Sequence, residues 1–194
     1  MKREAKKPDC IMPAGGLSSR MGSWKPLLPY GESTLVETSV SRALETCGRI
    51  ILVTGYRGDE LEALFSGRSE VECIRNEKFA RGIFSSIQAG AAVVEAPLFF
   101  VAHADMPELP AELYRLLLDA MDGETDMLRP VCRGKPGHPV LCRRRVASTI
   151  LAEAPESNMQ NVMRHHRLRE IAVEWQGCVY DVDRPEDLKG RLHG

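Results

Sequence analysis

Between residues 14 and 25 the chain reads Ala14-Gly15-Gly16-Leu17-Ser18-Ser19-Arg20-Met21-Gly22-Ser23-Trp24-Lys25, a set of residue types suited to holding a polyphosphate. Two adjacent glycines let backbone N–H groups close on a ligand with no Cβ in the way. Ser18 and Ser19 add hydroxyls, Arg20 a planar fork of donors and Lys25 a compact positive charge. The spacing excludes two common phosphate loops. A P-loop needs Gly-Lys followed directly by Ser or Thr, whereas Ser23 and Trp24 separate Gly22 from Lys25. A dinucleotide fingerprint needs a second glycine where Leu17 stands.

Carboxylates follow further along. Asp105 lies just beyond the apolar run Leu98–Ala102, and a carboxylate at the end of a central strand is where a Mg²⁺ ligand is expected. Asp183 either joins Asp105 at that metal or caps a helix beginning at Pro185, with Asp181 beside it. Residue types alone leave those two readings open. Asn76, Gly82, Ser85 and Ser86 bring an amide, a glycine and two hydroxyls to a helix start, which suits a ribose or a base edge. One of the two serines can equally be a cap. Gly137-His138-Pro139 sits in a rigid polar loop before a strand, where His138 is either a substrate contact or a structural histidine. His165 and His166 are adjacent on a helix, point to different sides and make a poor metal pair.

These residues need a scaffold, and the chain alternates strand-length apolar bursts with segments of helical period. Strands are expected at Cys10–Ala14, Ile50–Thr54, Val71–Ile74 and Leu98–Ala102. Helices are expected at Thr34–Thr46, Asp59–Phe65, Ile83–Val94 and Ala111–Met121. The second half is less regular, with short strands near Val140–Cys142, Ile171–Glu174 and Cys178–Val182. Such alternation predicts an α/β fold of three layers, α-β-α, with a mostly parallel sheet. Ligands on such sheets bind at the carboxyl ends of the strands, where the loops after Ala14 and Ala102 fall.

With 194 residues, one domain spanning 1–194 is expected, and the basic residues among 1–8 read as a solvated tail. A formal net charge of -1 offers no field to gather nucleic acid or anionic lipid, and no run of ~20 apolar residues spans a bilayer. Neither partner is expected, and the setting is read as cytoplasmic. The six cysteines contain no C-x-x-C pair, which favours reduced, mostly buried thiols over a zinc site.

Taken in order, AGGLSSRMGSWKPLLP, RIILVTGYRG, ARGIFSSIQAG, HADMP, GKPGHPVL and DVDRPEDL resemble the molybdenum cofactor cytidylyltransferases, within the wider MobA-like nucleotidyltransferases. The resemblance runs from about Cys10 to Leu188. It implies a Rossmann-like, GT-A-like nucleotidyltransferase fold and transfer of CMP from CTP to molybdopterin carrying molybdenum, with release of pyrophosphate. By position, Ala14 to Gly22 would hold the triphosphate, with Arg20 and Lys25 neutralising it. Asp105 and Asp183 would hold Mg²⁺, for which Mn²⁺ can substitute. Gly82, Ser85 and Ser86 would line the nucleoside pocket, beside the Asn76 read above as nucleotide-binding, and Gly137, His138 and Pro139 would face the pterin. A molybdenum hydroxylase or its chaperone would receive the product.

One position departs from the family pattern. Gly15 stands where these enzymes usually carry alanine, giving the Ala-Gly-Gly of guanylyltransferase relatives. The expectation is a base pocket with room for one more methyl group, hence CTP preference with measurable GTP use. Guanylyl transfer, sugar-1-phosphate nucleotidylyl transfer and non-catalytic cofactor delivery are the alternatives.

Overall fold

Residues 6–16 and 24–180 are described by the structure, a computed structural model. Alternating side chains of the central strands divide between two apolar layers, and that alternation fixes the architecture. Strand β1 (Asp9–Pro13) sends Cys10 and Met12 into one layer and Ile11 into the other. A short hairpin, β2 (Pro29–Tyr30) and β3 (Ser33–Thr34), leads into α1 (Leu35–Leu44). Next come β4 (Arg49–Thr54), α2 (Gly58–Phe65), β5 (Val71–Arg75), α3 (Ile83–Ala91), β6 (Leu98–Val101) and α4 (Ala111–Ala120). The remainder is β7 (Met127–Cys132), β8 (Lys135–Pro136), β9 (Val140–Arg143), α5 (Arg145–Ala152), α6 (Met159–Met163) and β10 (Leu168–Val173).

Among the described residues the main sheet runs β10-β7-β9-β6-β1-β4-β5, with β8 added to β7. Pairings of β1 with β4 and β6, of β4 with β5 and of β7 with β10 are parallel, while β9 runs antiparallel to β6 and β7. Helices α1, α2 and α4 cover one face, through Val40, Leu61, Leu113 and Leu117. Helices α3, α5 and α6 cover the other, through Phe84, Ile87, Ile150 and Val162. This is the three-layer α/β arrangement expected, with the sheet mostly parallel. The first helix starts where Thr34 and Glu37 form a capping box, Thr34 Oγ1 accepting from the Glu37 N–H and the Glu37 carboxylate from the Thr34 N–H. No helix among the described residues is long and apolar enough to cross a membrane.

Two expectations in the second half require correction. The region Cys178–Val182 does not begin as a strand, because Gln176–Val179 forms a 3₁₀ turn closed by the Cys178 N–H on the Trp175 carbonyl at 3.2 Å. Apolar character there reports burial, which a turn satisfies as well as a strand. Strand β7 was not foreseen, because Pro130 interrupts its run. The proline is tolerated because β7 pairs with β9 through Met127 and Leu128 and with β8 through Val131 and Cys132, so Pro130 falls between the two ladders.

At the opposite end of the sheet from the glycine turn, Asp9 lies almost fully buried and accepts from Arg49 at 3.1 and 2.8 Å and from the N–H groups of Glu95 and Ala96 at 2.8 and 3.0 Å. Burial pushes its carboxyl up, but Arg49 and the two amides outweigh that and hold it below the usual carboxylate range. The stabilisation is therefore complete above the unfolded pKa of about 3.9 and lost as pH falls through the lower folded value. Asp9→Asn is expected to cost about 3 kcal/mol at pH 7. In thermal unfolding its melting temperature should fall several degrees below wild type at neutral pH and converge with it in acid. A constant gap down to strongly acidic pH would remove Asp9 from that role.

Candidate nucleotide site

Strand order reverses between β1 and β6: from β1 the chain builds outward through β4 and β5, and then returns to lay β6 on the other side. At the carboxyl ends of these two strands lies a cavity of about 320 Å³, lined by Pro13, Ala14, Gly15, Gly16, Lys25 and Pro26 on one side. Phe79, Ala80, Gly82, Ile83 and Ser86 form a second wall, and His103, Ala104 and Asp105 a third.

Each wall is held by the fold. Ala14 extends the β1 ladder by donating to the Val53 carbonyl at 2.9 Å, and the Gly15 carbonyl accepts from the Tyr56 N–H at 3.3 Å. Lys25 opens a 3₁₀ turn with Pro26 buried behind it. The segment carrying Asp105 is anchored on both sides by buried Ala104 and Met106, and the Ser39 hydroxyl on α1 donates to the Ala104 carbonyl at 3.0 Å. Asp105 is thereby presented to Lys25, with Nζ to Oδ2 at 3.4 Å.

At the second wall Gly82 has φ of 105° and ψ of 171°, a conformation open to glycine alone, and from there α3 begins. Ser86 reaches the cavity. Asn76 and Ser85 do not line it. The Asn76 amide donates to Ser85 Oγ at 2.9 Å and to Ser86 Oγ at 3.0 Å, its oxygen accepts from the Lys78 N–H at 2.9 Å, and Ser85 Oγ donates to the Gly82 carbonyl at 2.8 Å. These groups brace the turn from behind, because a buried amide and hydroxyl must spend their hydrogen bonds on neighbours.

His103 and His138 stack with ring centroids 4.1 Å apart, which joins the Gly137–Pro139 loop to the third wall. Burial, with the Lys25 charge adding to it, pulls His103 down to about 4, so it is neutral near pH 7 and Lys25 supplies the positive charge there. Gly137 and Pro139 are buried, and the His138 N–H donates to the Cys178 carbonyl at 2.7 Å. None of the three lines the cavity itself. His165 and His166 lie in the turn after α6, which ends at Met163, and not on a helix as expected; they part, the first toward Glu153 at 3.7 Å and the second to Thr149 at 2.8 Å. All six cysteines are free and five are buried. Leu17, Ser18, Ser19, Arg20, Met21 and Gly22, with Asp181 and Asp183, lie outside the described residues.

The expectation for Gly15 also changes. A Cβ on Gly15 would lie 2.8 Å from the Gly55 nitrogen and 3.0 Å from its Cα, so the missing methyl faces the β4–α2 turn and not a base. Gly15 permits two backbones to touch and opens no pocket. Gly15→Ala is therefore expected to lower the melting temperature and to reduce transfer from CTP and GTP together by about tenfold. Selective loss of GTP use with unchanged stability would restore the base-pocket reading.

The lining residues missed from sequence are Pro13, Pro26, His103 and Ala104, with an apolar wall made by Phe79 and Ala80 on a 3₁₀ turn and by Ile83, which opens α3 and is 52% exposed.

A cavity at the reversal point of an open α/β sheet, lined by a glycine turn and a lysine–carboxylate ion pair, lies where proteins of this architecture bind their ligands. The chain belongs to the MobA-like NTP transferase family, whose domain matches residues 10–171. It is 35% identical over 180 residues, 93% of each chain, to the molybdenum cofactor cytidylyltransferase of Escherichia coli (strain K12). A probable molybdenum cofactor guanylyltransferase of Bacillus cereus (strain AH187) is 25% identical over 168 residues, 84% of this chain and 83% of that one. Among solved structures, Rv0371c of Mycobacterium tuberculosis H37Rv superposes with a TM-score of 0.82 at 22% identity over 99% of this chain and 100% of that chain. A structure of that same protein in complex with manganese gives 0.71 at 20% identity, over 88% and 89%. The chain is thus a nucleotidyltransferase enzyme.

Proposed function

We propose that this enzyme transfers CMP from CTP to the terminal phosphate of molybdopterin carrying molybdenum, giving molybdopterin cytosine dinucleotide and pyrophosphate. The observation that carries the reading is the cavity at the ends of β1 and β6, lined by Gly15, Gly16 and the Lys25–Asp105 ion pair. The 35% identity to a cytidylyltransferase, against 25% to a guanylyltransferase, supports CTP as the donor.

In this reading a phosphate oxygen of molybdopterin attacks the α-phosphorus of CTP. The bond from that phosphorus to the bridging oxygen breaks, and its electron pair leaves on pyrophosphate. The attacking oxygen is already anionic, so neither a serine nucleophile nor a histidine base is required. The chain's work is to align the two substrates and to meet charge on the triphosphate with backbone N–H groups and the Lys25 ammonium. Arg20 adds to that charge in the same reading.

Asp105 also suits a divalent cation. Its carboxylate is part-exposed at the cavity, and Mg²⁺ is commonly held by one or two carboxylates with phosphate oxygens and water completing the shell. Such a site needs no protein cage. Asp183 is the second ligand in this reading. Bound there, Mg²⁺ or Mn²⁺ would neutralise phosphate charge. A molybdenum hydroxylase or its chaperone is the fitting recipient of the product.

The test is pyrophosphate release with each of CTP, GTP, ATP and UTP, with and without molybdopterin. CTP with molybdopterin should be fastest, EDTA should abolish release, and Mg²⁺ or Mn²⁺ should restore it. A preference for GTP would make the enzyme a guanylyltransferase. Release with a hexose phosphate but not with molybdopterin would move the acceptor to a sugar. Nucleotide binding without release would leave a delivery protein.

A further inference from the structure

Beside the cavity, Trp24 touches Gly16 of the glycine turn and two residues, Tyr56 and Arg57, that the chemistry above does not use. Its indole N–H donates to the Gly16 carbonyl at 3.2 Å. Its ring meets Tyr56 edge to face, with centroids 6.3 Å apart, and the Arg57 guanidinium carbon lies 4.8 Å from its centroid. Trp24 is 6% exposed, whereas Tyr56 is 41% and the Arg57 side chain 42% exposed. Arg57 is left-handed, with φ of 52°, and is braced by Glu60 at 2.6 Å, so its place over the indole is fixed by the start of α2. A cation so placed over an aromatic face is attractive.

We infer that Trp24 is a positioning residue for the glycine turn, held by Tyr56 and Arg57, and that it keeps the backbone of that turn set for a nucleotide's phosphates. This rests on the function proposed above. Two successive carbonyls of the turn are held, that of Gly15 by the Tyr56 N–H and that of Gly16 by the Trp24 indole. In a trans peptide the carbonyl and the following N–H point in opposite directions. Tying down the Gly15 carbonyl therefore turns the Gly16 N–H away from Tyr56, and Gly16 lines the cavity. A glycine pair left untied would sample many conformations, most of which present no donor to an anion. Packing alone would not demand a tryptophan here: a phenylalanine fills most of the volume and keeps the ring under Arg57, but cannot hold the Gly16 carbonyl.

The test compares wild type, Trp24→Phe and Arg57→Asn by calorimetric titration with CTP and with GTP, alongside melting temperature and steady-state kinetics. Asparagine tolerates the left-handed conformation, so Arg57→Asn removes the cation without straining the backbone. Trp24→Phe should weaken CTP binding about fivefold to tenfold, the weight of one hydrogen bond. Its KM for CTP should rise while kcat and the KM for molybdopterin stay close to wild type. Arg57→Asn should weaken CTP binding about twofold to threefold with no change in melting temperature. Folded Trp24→Phe binding CTP as wild type does would overturn the inference. If Trp24→Phe does not fold, Arg57→Asn decides, weakened binding supporting the assignment and unchanged binding removing it. Wild-type protein that binds neither nucleotide overturns both this inference and the proposed function, whereas wild-type binding with an indifferent Trp24→Phe sinks the inference alone.

Discussion

Asp105→Asn should keep the fold and lose about 100-fold or more in turnover. Asparagine matches the shape of aspartate, and the segment around it is set by contacts that do not involve the carboxylate: buried Ala104 and Met106 on either side and the Ser39 hydroxyl on the Ala104 carbonyl. The melting temperature should therefore shift by no more than a degree or two. What is lost is a negative charge at the cavity, and with it the proposed grip on a divalent cation. A 100-fold loss corresponds to about 2.7 kcal/mol of transition-state stabilisation, within the range expected of a metal ligand. Raised Mg²⁺ should recover part of the rate. Near-normal turnover at low Mg²⁺ would remove Asp105 from the metal.

Lys25→Ala is expected to lower kcat/KM for the nucleotide by about 30-fold, and Lys25→Arg by less, because arginine keeps the charge and alanine does not. The side chain is 13% exposed and faces Asp105 at 3.4 Å, so it is held at the cavity before any ligand arrives. That pairing has a consequence for the double variant. If Lys25 and Asp105 act on the same phosphate charge, Lys25→Ala combined with Asp105→Asn should fall well short of the product of the two single losses. Rates for Lys25→Ala and Lys25→Arg both equal to wild type would take Lys25 out of the site.

How much of this was legible in the sequence depends on which physical signal each residue gives. The parallel half of the sheet was readable because Ile50–Thr54 and Leu98–Ala102 are buried on both faces and so present unbroken apolar runs. Strand β7 was hidden by Pro130, whose place between two ladders only the folded sheet reveals. At the site, Lys25 and Asp105 were legible as charges in turns that follow strands. Asn76 and Ser85 were legible as polar groups near a helix start, but composition cannot say whether such groups face a ligand or each other. Gly15 shows the same limit: a missing methyl can make room for a substrate or for another strand's backbone, and here it is Gly55 that fills the space. The Trp24–Arg57 contact, bridging 33 positions of sequence, leaves no trace in local pattern at all.

The central claim is most directly tested by following the α-phosphate. Purified enzyme is incubated with Mg²⁺, molybdopterin carrying molybdenum and CTP labelled at its α-phosphorus, and the products are separated and weighed by mass spectrometry. The proposed reaction places the label in a molybdopterin cytosine dinucleotide and releases unlabelled pyrophosphate in equal amount. Label that stays in CTP, or that appears only as free CMP whether or not molybdopterin is present, would contradict it.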